Sequence, residues 1–314
     1  MPDPQQTSEP RPTASWDRPI RLSDLAVYVI IVLFWGGSFY GIEFQLGTVP
    51  VEVSIFYRYV VAAIILIGIC VVTRRSLFRF SFADHRLFML LGLLFFSFNY
   101  VLIYRAQLEL TSGLTAITFT MALFFTTLNE RIFLKHRFRP QIIIGGLIGV
   151  AGLALIFGGS VIGADFSRGT LTGLIFILAG AYVVSLATIA TARLNIRQVP
   201  PIQANAWSMT YGAIFNGLFV LAFGHELTMD WSVSYVVSFL YLTILSSVVS
   251  FILFFILVQR IGPSRSAYFT LLSPMVAILI SVYAENLPVT LALVGGVVAI
   301  LFGNYIAIRP SRKA

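Results

Sequence analysis

The sequence predicts an all-α membrane protein, with ten transmembrane helices arranged as two inverted five-helix repeats around a central cavity. Three observations carry this expectation. The chain divides into ten apolar runs, each about as long as a helix that crosses ~30 Å of hydrocarbon. Its basic residues crowd into alternate loops. Shifted by 150 residues, the chain matches itself at scattered but related positions.

The composition makes the bilayer the solvent. Of 314 residues, 58% are hydrophobic and 11% charged, against about 25% charged in a soluble domain. The net charge of +8 falls in short clusters between apolar runs, which is a topology signal rather than a nucleic-acid footprint. Residues 1–22 are polar and proline-rich and lack the pattern of a cleavable signal peptide. They are expected to be a disordered cytoplasmic tail. Runs at 23–43, 52–72, 87–105, 111–129 and 141–159 make a first repeat, assigned to 23–158. A periplasmic linker follows at 159–169. Runs at 170–191, 201–223, 233–258, 266–284 and 288–308 make a second repeat, assigned to 170–308, before a short cytoplasmic tail at 309–314. The runs do not alternate apolar with polar, so a strand barrel does not fit.

Of the 21 Lys and Arg residues, eighteen lie in the two tails and every second loop, as at Arg74 and Arg75 or Lys135, Arg137 and Arg139. The opposite loops hold only Arg105 and Arg168, and Arg58 lies within a span. This bias places both termini in the cytoplasm of a bacterial-type inner membrane and requires an even number of spans. The 150-residue shift pairs Pro50 with Pro200, Tyr57 with Trp207, Ala63 with Ala213, Ser97 with Ser247, Gly145 with Gly295 and Gly146 with Gly296. Five spans is an odd number, so the second copy enters from the opposite face. Inverted repeats place a solute site near mid-membrane at their interface.

Several stretches carry a family resemblance. "LFWGGSFYGIEFQL", "FYRYVVAAIIL", "YVLIYRAQLELTSGLTA", "LSPMVAILISVYAENL" and "LVGGVVAILFGN" occur in that order. Over residues 23–308 the chain resembles EamA-type members of the drug/metabolite transporter superfamily, near the amino acid exporter branch. The resemblance implies ten helices in two inverted repeats, and export of small metabolites, often amino acids, without ATP. Such proteins often carry Pro and Glu late in the fourth span, as in the ninth with Pro274 and Glu285. Phe125 and His136 stand there instead.

Polar residues recurring on one helical face point away from lipid. Candidates for contact with a solute are Trp35 and Ser38 in the first span, and Ser97, Tyr100 and Tyr104 in the third. Thr115 and Thr118 belong to a fourth-span stripe with Thr111, Thr126 and Asn129. Tyr182 and Ser185 lie in the sixth span, Asn205 and Ser208 (with Asn216) in the seventh, Ser247 and Ser250 in the eighth. Such a lining suits a small amphipathic solute. The competing reading is plain helix adhesion, worth roughly 0.6 kcal/mol per contact, with Trp35 and Tyr104 as interfacial belt residues. Gly145 and Gly149, echoed by Gly295, Ala299 and Gly303, are expected to pack helix on helix or to form a homodimer seam.

Arg58 lies roughly 9 Å below the outer end of the second helix. Three roles fit: an ion pair with Glu43 or Glu109, snorkelling to the surface, or contact with a carboxylate on the solute. The family pattern also carries this arginine, which implies a shared role without saying which.

His85, His136 and His225 fall in loops or at span ends, Cys70 is the only cysteine, and neither a zinc-protease motif nor a phosphate loop is present. The reading is therefore a secondary transporter exporting amino acids or similar metabolites, with no cofactor, metal or nucleic acid. Its expected partners are a small-molecule solute and membrane lipid. Carriers of lipophilic drugs or nucleotide-sugar-like solutes, a membrane enzyme and a lipid handler are the alternatives. Glu43, Glu109, Glu130 and Glu285 all sit near span ends, which leaves proton antiport, exchange and facilitated diffusion open.

Overall fold

A computed structural model describes residues 21–134, 140–162, 168–261 and 269–308. Residues 1–20 of the N-terminal tail, the cluster Lys135, Arg137 and Arg139 with His136, residues 163–167 of the linker, and the C-terminal tail lie outside these residues. All regular structure among the described residues is helical. We label α1 (Leu22–Glu43), α2 (Val51–Val72), α3 (Phe82–Gln107), α4 (Ser112–Phe119 continuing as Met121–Leu134), α5 (Pro140–Ile162) and α6 (Arg168–Ile196). Then follow α7 (Pro201–Ala222), α8 (Val233–Leu240, Tyr241–Val249 and Ser250–Ile261), α9 (Phe269–Ala284) and α10 (Leu291–Ile308).

Local chemistry explains the helix starts. Ser81 Oγ accepts from the Asp84 N–H while Asp84 Oδ2 accepts from the Ser81 N–H, a reciprocal cap that opens α3. Asp24 Oδ2 accepts from the Arg21 N–H at the start of α1, and Ser232 caps α8. Pro200 and Pro201 open α7, where their missing N–H groups leave no intrahelical bond unmade. Two helices change pitch along their length. α3 is π-helical over Leu94–Phe98 and α8 over Tyr241–Val249.

Among the described residues six helices are long and apolar enough to cross a membrane: α1, α2, α3, most of α6, most of α8, and Ser112–Asn129 of α4. Shorter apolar stretches fill α5, α9 and α10. The sequence offered ten candidate spans, and α7 shows why one of them falls short by hydropathy. Its polar residues Gln203, Asn205, Ser208 and Asn216 are all buried, so they lower its hydropathy without facing lipid. The molecule is apolar outside, with Leu147, Leu221 and Val298 exposed, and polar within, where Arg58, Asn99, Thr118 and Ser247 are buried.

α2 packs along α7 and α5 along α10. α1 lies against α9 and α8, α6 against α4 and α3, and α3 against α7 much as α8 lies against α2. The α5–α10 contact brings backbones together: a Cβ on Gly152 would lie 2.7 Å from the Gly296 carbonyl oxygen, and one on Gly303 would meet the Gly145 carbonyl oxygen. Gly296 and Gly303 therefore form the contact on α10, whereas Gly295 faces open space. Of the expected stripe, Gly303, Gly145 and Gly149 lie in the contact, and Gly295 is displaced, its place taken by Gly296, about 100° away around the helix. These contact glycines are engaged within the chain, so a homodimer seam would need a different face.

Candidate solute-binding site

α2 carries Arg58 into the interior, where it is 1% exposed, so it does not snorkel. Among the described residues it makes no ion pair, with Glu43, Glu109 or any other carboxylate. Its Nε donates to Ser247 Oγ at 2.9 Å and its Nη2 to Ser246 Oγ at 3.5 Å, both on the π-helical part of α8. Nη1 is buried with no hydrogen-bond partner. The guanidinium carbon stands 4.5 Å from the centroid of the Tyr100 ring and 5.6 Å from that of Tyr59. Tyr104, one turn beyond Tyr100 on the same face of α3, lies within electrostatic reach. The hydroxyls of Tyr59 and Tyr104 are buried beside it, Tyr104 close to the guanidinium and Tyr59 close to Tyr100 and Ser247, and the Thr243 hydroxyl is buried without a partner. A cation, buried hydroxyls and ring faces thus converge from α2, α3 and α8.

Aromatic rings wall this site. The Trp35 indole donates to the Ser246 carbonyl at 3.0 Å, and its ring lies 5.1 Å from Phe251. Phe96 is 4.9 Å from Phe251 and 5.5 Å from Tyr59. Trp35 is thereby a wall of the interior and not a belt residue.

The structure gathers Trp35, Arg58, Tyr100, Tyr104 and Ser247 of the sequence candidates. Others are engaged elsewhere. Ser97 donates to Asn216 Oδ1 at 2.8 Å, and Asn216 donates in turn to the Phe96 and Gly212 carbonyls, which ties α3 to α7. Asn129 donates to Ser185 Oγ at 2.7 Å, joining α4 to α6. Ser38, Thr115 and Ser250 donate to carbonyls of their own helices, the local bonding common for hydroxyls in helices. Tyr182 is 43% exposed and rests against Phe125. Thr118 Oγ1, Ser208 Oγ and Asn205 Oδ1 are buried without partners.

Tyr59, Thr243 and Ser246 were missed. Neighbouring residues on a regular helix diverge by about 100°, so reading Arg58 and Ser247 as inward excluded Tyr59 and Ser246. The i→i+5 bonding of a π stretch alters that register, and ring size lets Tyr59 reach sideways.

Two recesses flank this centre. Glu43, Gln107, Glu109, Thr111 and Glu285 line a cleft of about 270 Å³ at one end of the bundle. Gln107 continues the Tyr100–Tyr104 face of α3. Its Nε2 donates to the Phe39 carbonyl, and its buried Oε1 has no partner. Glu285 accepts from both the N–H and the hydroxyl of Ser112. Nearby, buried Glu52 meets Arg105 at 2.7 Å and His225 at 3.1 Å. At the opposite end, α3 and α6 enclose a groove of about 550 Å³.

The EamA-like transporter family model matches residues 23–158 and again 171–309. The chain belongs to the EamA-like transporter family. Curated relatives include the uncharacterized transporter YdfC of Bacillus subtilis, 26% identical over 86% of each chain. YoaV of the same organism is 22% identical over 88% of this chain and 94% of its own, and an Archaeoglobus fulgidus transporter 21% over 90% and 98%. A solved crystal structure covering 92% of this chain and 97% of its own superposes at TM-score 0.67 with 17% identity, which shows a shared fold. The protein is thus a multi-pass membrane transporter of the drug/metabolite superfamily, and every EamA relative named here is called a transporter.

Proposed function

We propose that this EamA transporter exports a small zwitterionic solute, an amino acid or close relative, across the bacterial inner membrane by alternating access. Arg58 would hold the solute carboxylate. One observation carries the reading: a buried guanidinium that meets no carboxylate among the described residues and keeps an Nη1 without a hydrogen-bond partner. A carboxylate seated there satisfies the charge and the open donor, because the guanidinium presents its N–H groups as a planar fork. The buried hydroxyls of Tyr59, Tyr104 and Thr243 can accept from an ammonium group, and the rings cover an apolar side chain. Tyr100, Tyr104 and Gln107 share one helical face, which climbs about 10 Å from Arg58 to the acidic cleft. Carboxylates at that mouth repel a bare anion and tolerate a solute that also carries an ammonium group.

Two inverted five-helix repeats, 23–158 and 170–308, are part of the proposal. Exchanging each helix with the one five places on maps α1–α9 onto α6–α4, α3–α7 onto α8–α2, and α3–α6 onto α8–α1. The two π stretches fall in corresponding helices. The charge bias of the loops supports cytoplasmic termini. A solute that leaves unchanged is part of the proposal.

Uptake by liposomes holding the purified protein, across radiolabelled neutral and aromatic amino acids with and without a pH gradient, tests the reading. A saturable flux for at least one amino acid is expected. Folded protein that is silent across the panel would overturn it.

A further inference from the structure

The groove between α3 and α6 lies at the end of the bundle away from the acidic cleft, and the Arg58 reading does not use it. Its lining is arranged by depth. On α3, Ala83, Arg86, Leu87 and Leu90 stand at i, i+3, i+4 and i+7, so they share one face. Arg193 lies in the last turn of α6 and Arg197 in the turn just beyond its end. α3 begins at this end and α6 finishes here. The arginines therefore ring the rim, while Leu87 and Leu90 lie further along α3, with Leu90 40% exposed.

The charges are only partly neutralised. Arg197 Nε donates to Asp84 Oδ1 at 2.5 Å, and its Nη2 to Ser81 Oγ at 3.1 Å. Arg86 and Arg193, both exposed, make no ion pair among the described residues. Three guanidiniums and one carboxylate leave two positive charges over an apolar wall. At about 550 Å³ the groove exceeds what one phosphate fills, and its apolar depth offers a free anion nothing. A basic recess between spanning helices matches an anionic headgroup, and an apolar wall running inward matches its acyl chain.

We propose that the α3–α6 groove binds an acidic phospholipid, with the headgroup phosphate on Arg86 and Arg193 and an acyl chain along Leu87 and Leu90. Native mass spectrometry of the full-length protein in mixed micelles of phosphatidylglycerol and phosphatidylcholine tests this. The wild type should retain phosphatidylglycerol over phosphatidylcholine. Arg86→Gln/Arg193→Gln should lower that retention by about ten- to thirty-fold, and Arg86→Lys/Arg193→Lys should keep most of it. Both arginines are exposed, so thermal unfolding should be unchanged and certifies the fold. Equal retention by wild type and the Gln double variant overturns the proposal. So does displacement by millimolar inorganic phosphate, which would mark a soluble-anion site.

Discussion

A guanidinium removed from water loses hydration worth several kcal/mol even after relaxation. Around Arg58, hydrogen bonds to two seryl oxygens return about 1.5–3 kcal/mol each at good geometry, although the contact to Ser246 is long at 3.5 Å. The Tyr100 ring adds about 2 kcal/mol in a desolvated setting. Nη1 contributes nothing until something accepts from it, and this shortfall is what a solute carboxylate removes. Glu52 shows a different design, since its buried carboxylate already meets the Arg105 guanidinium through Oε1, with the His225 ring 3.1 Å from Oε2. Arg105→Ala should leave that carboxylate short of a donor and cost about 1–3 kcal/mol, read as earlier thermal unfolding in detergent. An unchanged transition would show that His225 alone suffices. At this scale the sequence disclosed the lone buried cation but not its surroundings. Glu43 and Glu109 looked close to Arg58 along the chain, yet both belong to the mouth of the bundle.

Helix contacts follow from small residues where backbones meet. Gly152 and Gly296 leave no room for a Cβ, whereas Gly295 faces open space. Gly152→Ala should destabilise by about 1–3 kcal/mol through overpacking. Gly295→Ala should be neutral or stabilising by up to about 1 kcal/mol, the helical preference of alanine over glycine. Comparing the two unfolding temperatures checks the α5–α10 contact, and equal losses would contradict it. The glycine contact was legible in the sequence because its members sit in long apolar runs, and Gly145, Gly149 and Gly303 do pack, but Gly296 rather than Gly295 supplies the other close approach on α10. The π stretches were not legible, because Leu94–Phe98 and Tyr241–Val249 read as ordinary apolar helix. That register change is why Ser247 was found and Ser246 was not.

Across the whole molecule, the loop charges and the mutual packing of helices five apart fit a duplicated bundle with its acidic cleft outward. Glu109 lines that cleft and Arg86 the basic groove at the other end. In a Cys70→Ser background, an impermeant maleimide applied to intact spheroplasts should label Glu109→Cys. It should reach Arg86→Cys only after permeabilisation. The reverse pattern would invert the proposed topology. The membrane class and the order of the helices were plain from hydropathy and charge, since burial in lipid constrains every run. The solute site was half legible, because inward hydroxyls look alike whether they bond a carbonyl, as Ser38 does, or stand open, as Thr243 does. The most direct measurement compares initial flux of a transported amino acid with that of its carboxamide, in wild-type and Arg58→Ala proteoliposomes of matched folding. Wild type should favour the acid by roughly thirty-fold, the worth of a charged hydrogen bond of about 2 kcal/mol, and Arg58→Ala should erase that preference. An Arg58→Ala protein that still favours the acid to the same degree would contradict carboxylate recognition by Arg58.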